Sequence, residues 1–365
     1  MLVGIPKEIK IAESRVAITP EGVREFVAVG HSVIIEDGAG VGSSITNEDF
    51  IASGATILPS AIDIWNQAEL ILKVKEPIAP EYPLMRKDQV LFTYLHLAAS
   101  KPCTDALILS GTTAIAYETV EVDGFLPLLA PMSEVAGRLA TQVGATALQR
   151  PHGGRGTLLG GVPGVAPGRV VVIGGGVSGL NAAIIAAGIG ADVSVLDRSI
   201  NRLQYIDTIY GGRIKTLVAS AAAIEREVRS ADLVIGAVLV HGAKAPKLVS
   251  NALVKTMKSG SVLVDIAIDQ GGCFEDSHPT THADPTFTVH DSVFYCVANM
   301  PGAVPVTSTY ALTNATLPYA LAIAHAGWKV ALTHDKNLAK GLNVHAGQIY
   351  YEAVAQAHGY EHTQF

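Results

Sequence analysis

Along most of the chain, short apolar runs alternate with longer stretches whose apolar positions recur at helical spacing. Runs too short for a helix read as buried strands. They fall at Leu2–Ile5, Ser32–Ile35, Glu69–Val74, Gln89–Tyr94 and Thr113–Tyr117, and again at Val170–Ile173, Val193–Leu196, Asp232–Ala237 and Ser261–Ile268. The intervening patterns read as helices. Pro20–Val29 has Thr19 as its N-cap and Pro20 at the first helical position, the order helix starts prefer. Met132–Gln149 reads as a long helix that bridges two domains, and residues 305–326 and 346–358 as helices with no strand after them to extend the second sheet. The glycine-rich stretch 152–168 follows a helix instead of a strand, so it reads as a connection.

Strand–helix alternation at this spacing predicts mostly parallel sheets with helices on both faces. A chain of 365 residues has room for two such domains. The expected architecture is therefore α/β, with two doubly wound domains and the active-site cleft between them. Residues 1–128 plus 305–365 would form a discontinuous substrate domain. Residues 129–304 would form a Rossmann dinucleotide-binding domain of about six strands.

The second domain opens on RVVVIGGGVSGLNAAIIAAGIGADVSVLD, residues 169–197. Gly174, Gly176 and Gly179 give G-x-G-x-x-G between a strand and a helix, and a second strand ends on Asp197. Each glycine has a separate reason: a tight turn, backbone approach to a pyrophosphate, and close packing of helix on strand. The unpaired N–H groups at the new helix start attract phosphate oxygens. Asp197 suits the ribose hydroxyls of NAD and would repel a 2′-phosphate, although neighbouring Arg198 keeps the phosphorylated cofactor open. Residues 170–191 are almost continuously apolar, but three consecutive glycines and Asn181 argue for strand–turn–helix over a membrane span.

Composition narrows the partners. Hydrophobic residues make up 49% and charged ones only 16%, so part of the surface is expected to face other subunits. The net charge of −7 is spread out, and no basic patch points to nucleic acid or a membrane. Three unclustered cysteines and scattered late histidines imply neither a disulfide framework nor a metal site. With no apolar signal core in MLVGIPKEIK, the expectation is a cytoplasmic protein.

Chemistry is expected at the carboxyl ends of the strands. Lys73 and Lys75 lie two apart where one strand ends, His96 closes another just before a helix, and Asp269 ends the run SVLVDIAID before two glycines. Arg15 sits in the first strand–helix loop. Each has an ordinary alternative: a solvated lysine, a structural histidine, a turn-capping aspartate, a surface ion pair. As a set beside a nucleotide fold they suit hydride chemistry on a small keto or amino acid.

The segments GIPKEIK…ESRVAITP, LKVKEP, YLHLAA, LLAPMSEVAGR, GGRGTLLGGVPGV, DIAIDQGG and VANMPGAVPVTSTYALTNATLPY resemble the alanine dehydrogenase family through about residue 345. Relatives of that family include the NAD(H)-binding part of transhydrogenase and, more distantly, saccharopine dehydrogenases. Arg15, Lys75, His96 and Asp269 match the family's motif residues; the sequence departs at Val306, where a basic residue is expected. The resemblance implies reversible NAD-dependent oxidative deamination of L-alanine to pyruvate and ammonium by hydride transfer from the alpha carbon. Arg15 and Lys75 would hold the substrate's carboxylate, with Lys75 also stabilising developing charge. His96 would move protons at the carbonyl oxygen, and Asp269 would orient water or ammonia.

Cofactor contacts implied by the match include Ser133, Val177, Ser178 and Arg202, and less securely Ser220. Val238 and Leu239, Ile266 and Asp269, and Val297, Ala298, Asn299 and Met300 would line the rest. The family also implies a homohexamer. Alternatives from other classes are a non-catalytic NAD(H)-delivery module and a redox-sensing regulator; among enzymes, it is a saccharopine-type dehydrogenase.

Overall fold

A computed structural model describes residues 1–238 and 245–365. The chain divides into two units, Met1–Met132 with Val304–Phe365, and Ser133–Ala303. Strands β1 to β6 are Leu2–Ile5, Ser32–Glu36, Thr56–Leu58, Leu70–Leu72, Val90–Thr93 and Thr113–Ala116. Strands β7 to β13 are Arg169–Ile173, Asp192–Asp197, Ile214–Val218, Leu233–Gly236, Val262–Asp265, Thr286–Val289 and Ser292–Tyr295; β14 is Leu342–His345 and β15 Gln348–Ile349.

The first unit's sheet runs β15-β14-β6-β5-β4-β1-β2-β3, and the second unit's runs β12-β13-β11-β10-β7-β8-β9. In the first, β1 to β6 pair in parallel and β14 joins β6 antiparallel. In the second, β7 to β11 and β13 pair in parallel, with β12 antiparallel at the edge. Both parallel portions thus share one doubly wound order, which reverses direction between β1 and β4 and between β7 and β10. Ligands bind doubly wound sheets at such reversals, outside the carboxyl ends of the strands.

Burial explains why the sequence pattern was readable. Strands β4, β5, β6, β10 and β11 are buried at every position, as strands covered by helices on both faces must be. Thr19 caps the helix Pro20–Ala28 by accepting from the Gly22 N–H at 3.3 Å. The apolar stretch 170–191 resolves into β7, a turn and the helix Val177–Gly188. Asn181 within it accepts from Arg138 Nε at 2.9 Å and donates to the Val177 carbonyl at 3.0 Å. Among the described residues no helix is long and apolar enough to cross a membrane.

Two expectations need correction. The stretch 346–358 is helical only over Glu352–His358, because Ala346 and Gly347 adopt positive φ and fold β14 and β15 into a hairpin. The run Ser261–Ile268 stays extended only to Asp265, and residues Ile266–Gln270 form a 3₁₀ turn. The Asp265 carboxylate accepts from the Ala267 N–H at 3.1 Å, which ends the strand. Asp269 therefore lies beyond the strand, exposed on that turn.

Candidate active site

In the first unit, β1, β4 and β5 deliver the candidate polar residues at their carboxyl ends, around the reversal in strand order. The loop after β1 carries Glu8, Glu13 and Arg15; Lys73 and Lys75 follow β4; Tyr94 and His96 follow β5. Arg15 is buried, and Glu13 grips one edge of its guanidinium: Nε donates to Oε1 at 2.7 Å and Nη2 to Oε2 at 2.5 Å. Nη1 reaches the Met132 sulfur at 3.0 Å. Burial alone would lower the Arg15 pKa, but the bond and charge of Glu13 more than reverse this, aided by Tyr94 and Glu8. Arg15 is a permanent cation whose orientation is fixed by a carboxylate partner.

The two lysines differ sharply. Lys73 is fully enclosed and paired with Glu8 at 3.2 Å and Glu81 at 2.8 Å. Burial pulls its pKa down, and the two carboxylates outweigh that pull. Glu8 also accepts from the backbone N–H of Val74 at 2.6 Å and of Lys75 at 3.3 Å. The Lys75 carbonyl accepts from Thr93 Oγ1 at 3.0 Å. Lys73 is thus a structural cation, and Lys75 is the half-buried one on a backbone pinned from two sides.

His96 is exposed and has left-handed backbone, φ 48° and ψ 38°. Such a conformation needs support in a residue with a Cβ. Glu118 supplies it by accepting from the backbone N–H of His96 at 2.6 Å and of Leu95 at 3.2 Å. The Glu118 carboxylate also stands 3.8 Å from His96 Nδ1. Tyr94 stacks on the imidazole, with centroids 5.9 Å apart and planes within 8°. Its hydroxyl donates to the Leu128 carbonyl at 2.5 Å, and burial pushes its pKa far up, so the phenol stays protonated.

A cavity of about 130 Å³ opens beside this cluster, lined by Lys7, Glu8, Glu13, Ser14, Arg15 and Gly42 among others. A larger one of about 690 Å³, against Trp328, Lys329, His345 and Tyr350, touches none of these groups. Chemistry, and not size, decides in favour of the smaller.

The second unit places its candidates at the carboxyl ends of β7, β8, β10, β11 and β13. Gly174 has φ 99°, and a Cβ there would stand 2.7 Å from the Ala237 carbonyl oxygen. A Cβ on Gly179 would meet the Gly174 carbonyl oxygen at 1.8 Å, so helix and turn touch backbone to backbone. Around Gly176 a Cβ would meet nothing within 4 Å. Of the three glycines, two are required by packing, whereas the middle one faces open space at a helix start. That is the arrangement a pyrophosphate needs.

Asp197 accepts from the Gly175 N–H at 2.7 Å and the Ser199 N–H at 2.8 Å, which sets its carboxylate at the end of β8. Arg202 donates to the carbonyls of Gly175 and Gly176. Val177 and Ser178 are half-buried in the first turn of the helix. Ser133 lies in the first turn of the helix Ala130–Ala147, which packs on that helix further along: a Cβ on Gly137 would stand 2.1 Å from the Ser178 carbonyl oxygen, and Thr141 donates to the Ala182 carbonyl at 2.8 Å. Val238 follows β10 and is half-buried, whereas Leu239 lies outside the described residues. Ile266 and Asp269 follow β11. Val297 and Met300 are buried after β13, with Ala298 and Asn299 half-buried between them. Ser220 caps the helix Ala221–Ser230 by accepting from the Ala223 N–H, a structural task.

Residues 4–136 match the family model for the alanine dehydrogenase/PNT N-terminal domain, and residues 140–352 the model for its C-terminal domain. The chain belongs to the alanine dehydrogenase/PNT family. Alanine dehydrogenase of Mycolicibacterium smegmatis is 66% identical over 98% of this chain and 96% of its own length. That of Bacillus subtilis is 54% identical over 100% of this chain and 96% of its own. Among solved structures, an L-alanine dehydrogenase superposes with a TM-score of 0.95 at 53% identity, covering 98% of this chain and 99% of its own. A transhydrogenase from Sinorhizobium meliloti, at 24% identity and a TM-score of 0.82 over 97% and 100% of the two chains, shares the fold.

Sequence reasoning did not single out Glu8, Glu13, Tyr94, Glu118 or Asp265. Glu13 was within reach: an acid two residues before a loop arginine is a natural partner. Glu8 and Glu118 act across 66 and 22 residues of chain, and no local pattern announces them.

Proposed function

We propose that this chain catalyses the reversible NAD-dependent oxidative deamination of L-alanine: L-alanine, NAD⁺ and water give pyruvate, ammonium, NADH and a proton. The observation that carries it is the grouping of Arg15, Lys75 and His96 at the strand-order reversal of the first sheet, in a chain of this family. The substrate chemistry is assigned to residues 1–128 plus 305–365, and the dinucleotide to residues 129–304.

Arg15, oriented by Glu13, and Lys75, pinned through Glu8, hold the substrate's carboxylate. Lys75 also stabilises negative charge that develops on the carbonyl oxygen. His96, exposed beside Tyr94, takes and returns protons at that oxygen and at the carbinolamine hydroxyl. Asp269 accepts a hydrogen bond from the attacking water, or from ammonia in reverse, and so aims its lone pair. Gly174, Gly176 and Gly179 cradle the pyrophosphate, and Asp197 takes the ribose hydroxyls. Bound NAD supplies the acceptor for the hydride of the alpha carbon. The remaining cofactor contacts are Ser133, Val177, Ser178, Arg202, Val238, Ile266 and Val297 to Met300.

The family resemblance supports a homohexamer, which light scattering tests. Cys103, Cys273 and Cys296 are all free, which supports a reducing, cytoplasmic setting. Mixing purified protein with L-alanine and NAD should generate the near-ultraviolet absorbance of NADH. Absence of that signal, with NADH still bound, would favour a delivery module or a sensor. Turnover of lysine with 2-oxoglutarate would instead select the saccharopine type.

A further inference from the structure

Asp265 is a strongly enclosed acid that the mechanism above does not use. It ends β11 with no exposed surface, and among the described residues it makes no ion pair. Donors surround it. Oδ2 accepts from the Cys273 N–H at 2.9 Å, the Phe274 N–H at 3.3 Å and Ser277 Oγ at 2.6 Å. Oδ1 accepts from the Ala267 N–H at 3.1 Å and lies 3.5 Å from Cys273 Sγ.

All five donors belong to one segment, residues 267–277, and Asp269 rides on it. The segment leaves the strand, turns through Gly271 and Gly272, and comes back against the carboxylate it left. Gly272 has φ 74°, and a Cβ there would stand 2.7 Å from Asp265 Oδ2 and 2.7 Å from the Ser277 Cβ. Lys247 braces the turn by donating to the Gly271 carbonyl at 2.6 Å and the Phe274 carbonyl at 2.8 Å. The turn is built around two acceptor oxygens. An amide there has one acceptor and one donor, so whichever way it flips, an N–H faces an N–H. Burial raises the Asp265 pKa, against the opposing pull of its Ser277, Phe274 and Cys273 donors.

We propose that Asp265 is the positioning residue that sets Asp269 at the carboxyl end of the second sheet, by accepting with both oxygens from the turn that carries it. The proposal rests on the reading above in which Asp269 aims water or ammonia. A misplacement of about 1 Å at a reacting group costs on the order of 100-fold in rate. Asp265→Asn should therefore lose kcat on that order. It should raise the KM for ammonium while leaving that for pyruvate, held by Arg15 and Lys75 in the other unit, near wild type. A role in bulk stability alone would reduce the amount of folded enzyme and leave both Michaelis constants unchanged.

The test is a double-mutant cycle between positions 265 and 269, read as kcat and as the two Michaelis constants. If Asp265 acts through Asp269, Asp265→Asn costs little further in an Asp269→Asn background. Ser277→Ala, which removes one donor and keeps the carboxylate, should show the same pattern more weakly. It takes the place of Asp265→Asn in the cycle if that variant does not fold. Additive losses, or an equal rise in both Michaelis constants, would overturn the proposal. Normal turnover by Asp269→Asn would overturn the underlying reading instead.

Discussion

Two glycines three residues apart in the same turn should fail in opposite ways when changed to alanine. At Gly179 the new methyl would sit 1.8 Å from the Gly174 carbonyl oxygen and 2.9 Å from its carbon. Both are backbone atoms of the turn, and no flexible side chain can yield. Overpacking of this kind costs about 1–3 kcal/mol, and contact with backbone puts it at the upper end. In a unit of this size each 1 kcal/mol moves Tm by roughly 2–4 °C, so Gly179→Ala should melt about 6–12 °C lower. At Gly176 the methyl meets nothing within 4 Å, and the backbone at φ −63° and ψ −162° is one that alanine adopts. Losing a glycine N-cap costs within about 1 kcal/mol. Yet the methyl occupies the space assigned to the pyrophosphate. NADH affinity should fall at least about tenfold, or about 1.4 kcal/mol. Calorimetry and NADH fluorescence titration read the two quantities separately. Wild-type NADH affinity in Gly176→Ala, or a wild-type melt for Gly179→Ala, would refute the reasoning.

Three further outcomes are expected. Asp197→Ala should weaken NAD and improve NADP, measured as the ratio of kcat/KM for the two; an unchanged ratio removes Asp197 from the ribose site. Glu13→Gln removes the charge that grips the buried Arg15 guanidinium, so the urea midpoint should fall and the KM for pyruvate should rise; if neither moves, Glu13 does not orient Arg15. His345, whose ring bonds Thr113 Oγ1 at 2.9 Å, has its pKa lowered from 6.5 by burial and then by Lys329. A lowered folded pKa means stability present above pH 6.5 that is lost as pH falls through the folded value. The drop in Tm across that window should be smaller in His345→Gln than in wild type.

Much of this fold was legible because parallel strands buried on both faces must be apolar throughout. Strands that break the rule escaped. β9 is half exposed along its length, and β14–β15 is a short hairpin made by two positive-φ residues. The glycine turn was legible at Gly174 and Gly179, where the local geometry leaves no room for a Cβ; Gly176 meets no such demand, and its reading rests on the ligand proposed for it. In the first unit the cations could be read, and of their acids only Glu13 lay within reach of the sequence. LKVKEP offers two lysines at strand spacing; only tertiary pairing shows that Lys73 is spent on Glu8 and Glu81. In the same way SVLVDIAID offered two aspartates, and it is the inner one, Asp265, that ends the strand.

The central claim is that His96 moves the proton while Arg15 and Lys75 hold the acid. Its most direct test is steady-state NADH formation from L-alanine by His96→Ala beside wild type, with NADH affinity measured on both. The account predicts a loss of roughly 10²–10⁴ in kcat at unchanged NADH affinity. Turnover near the wild-type rate would contradict it.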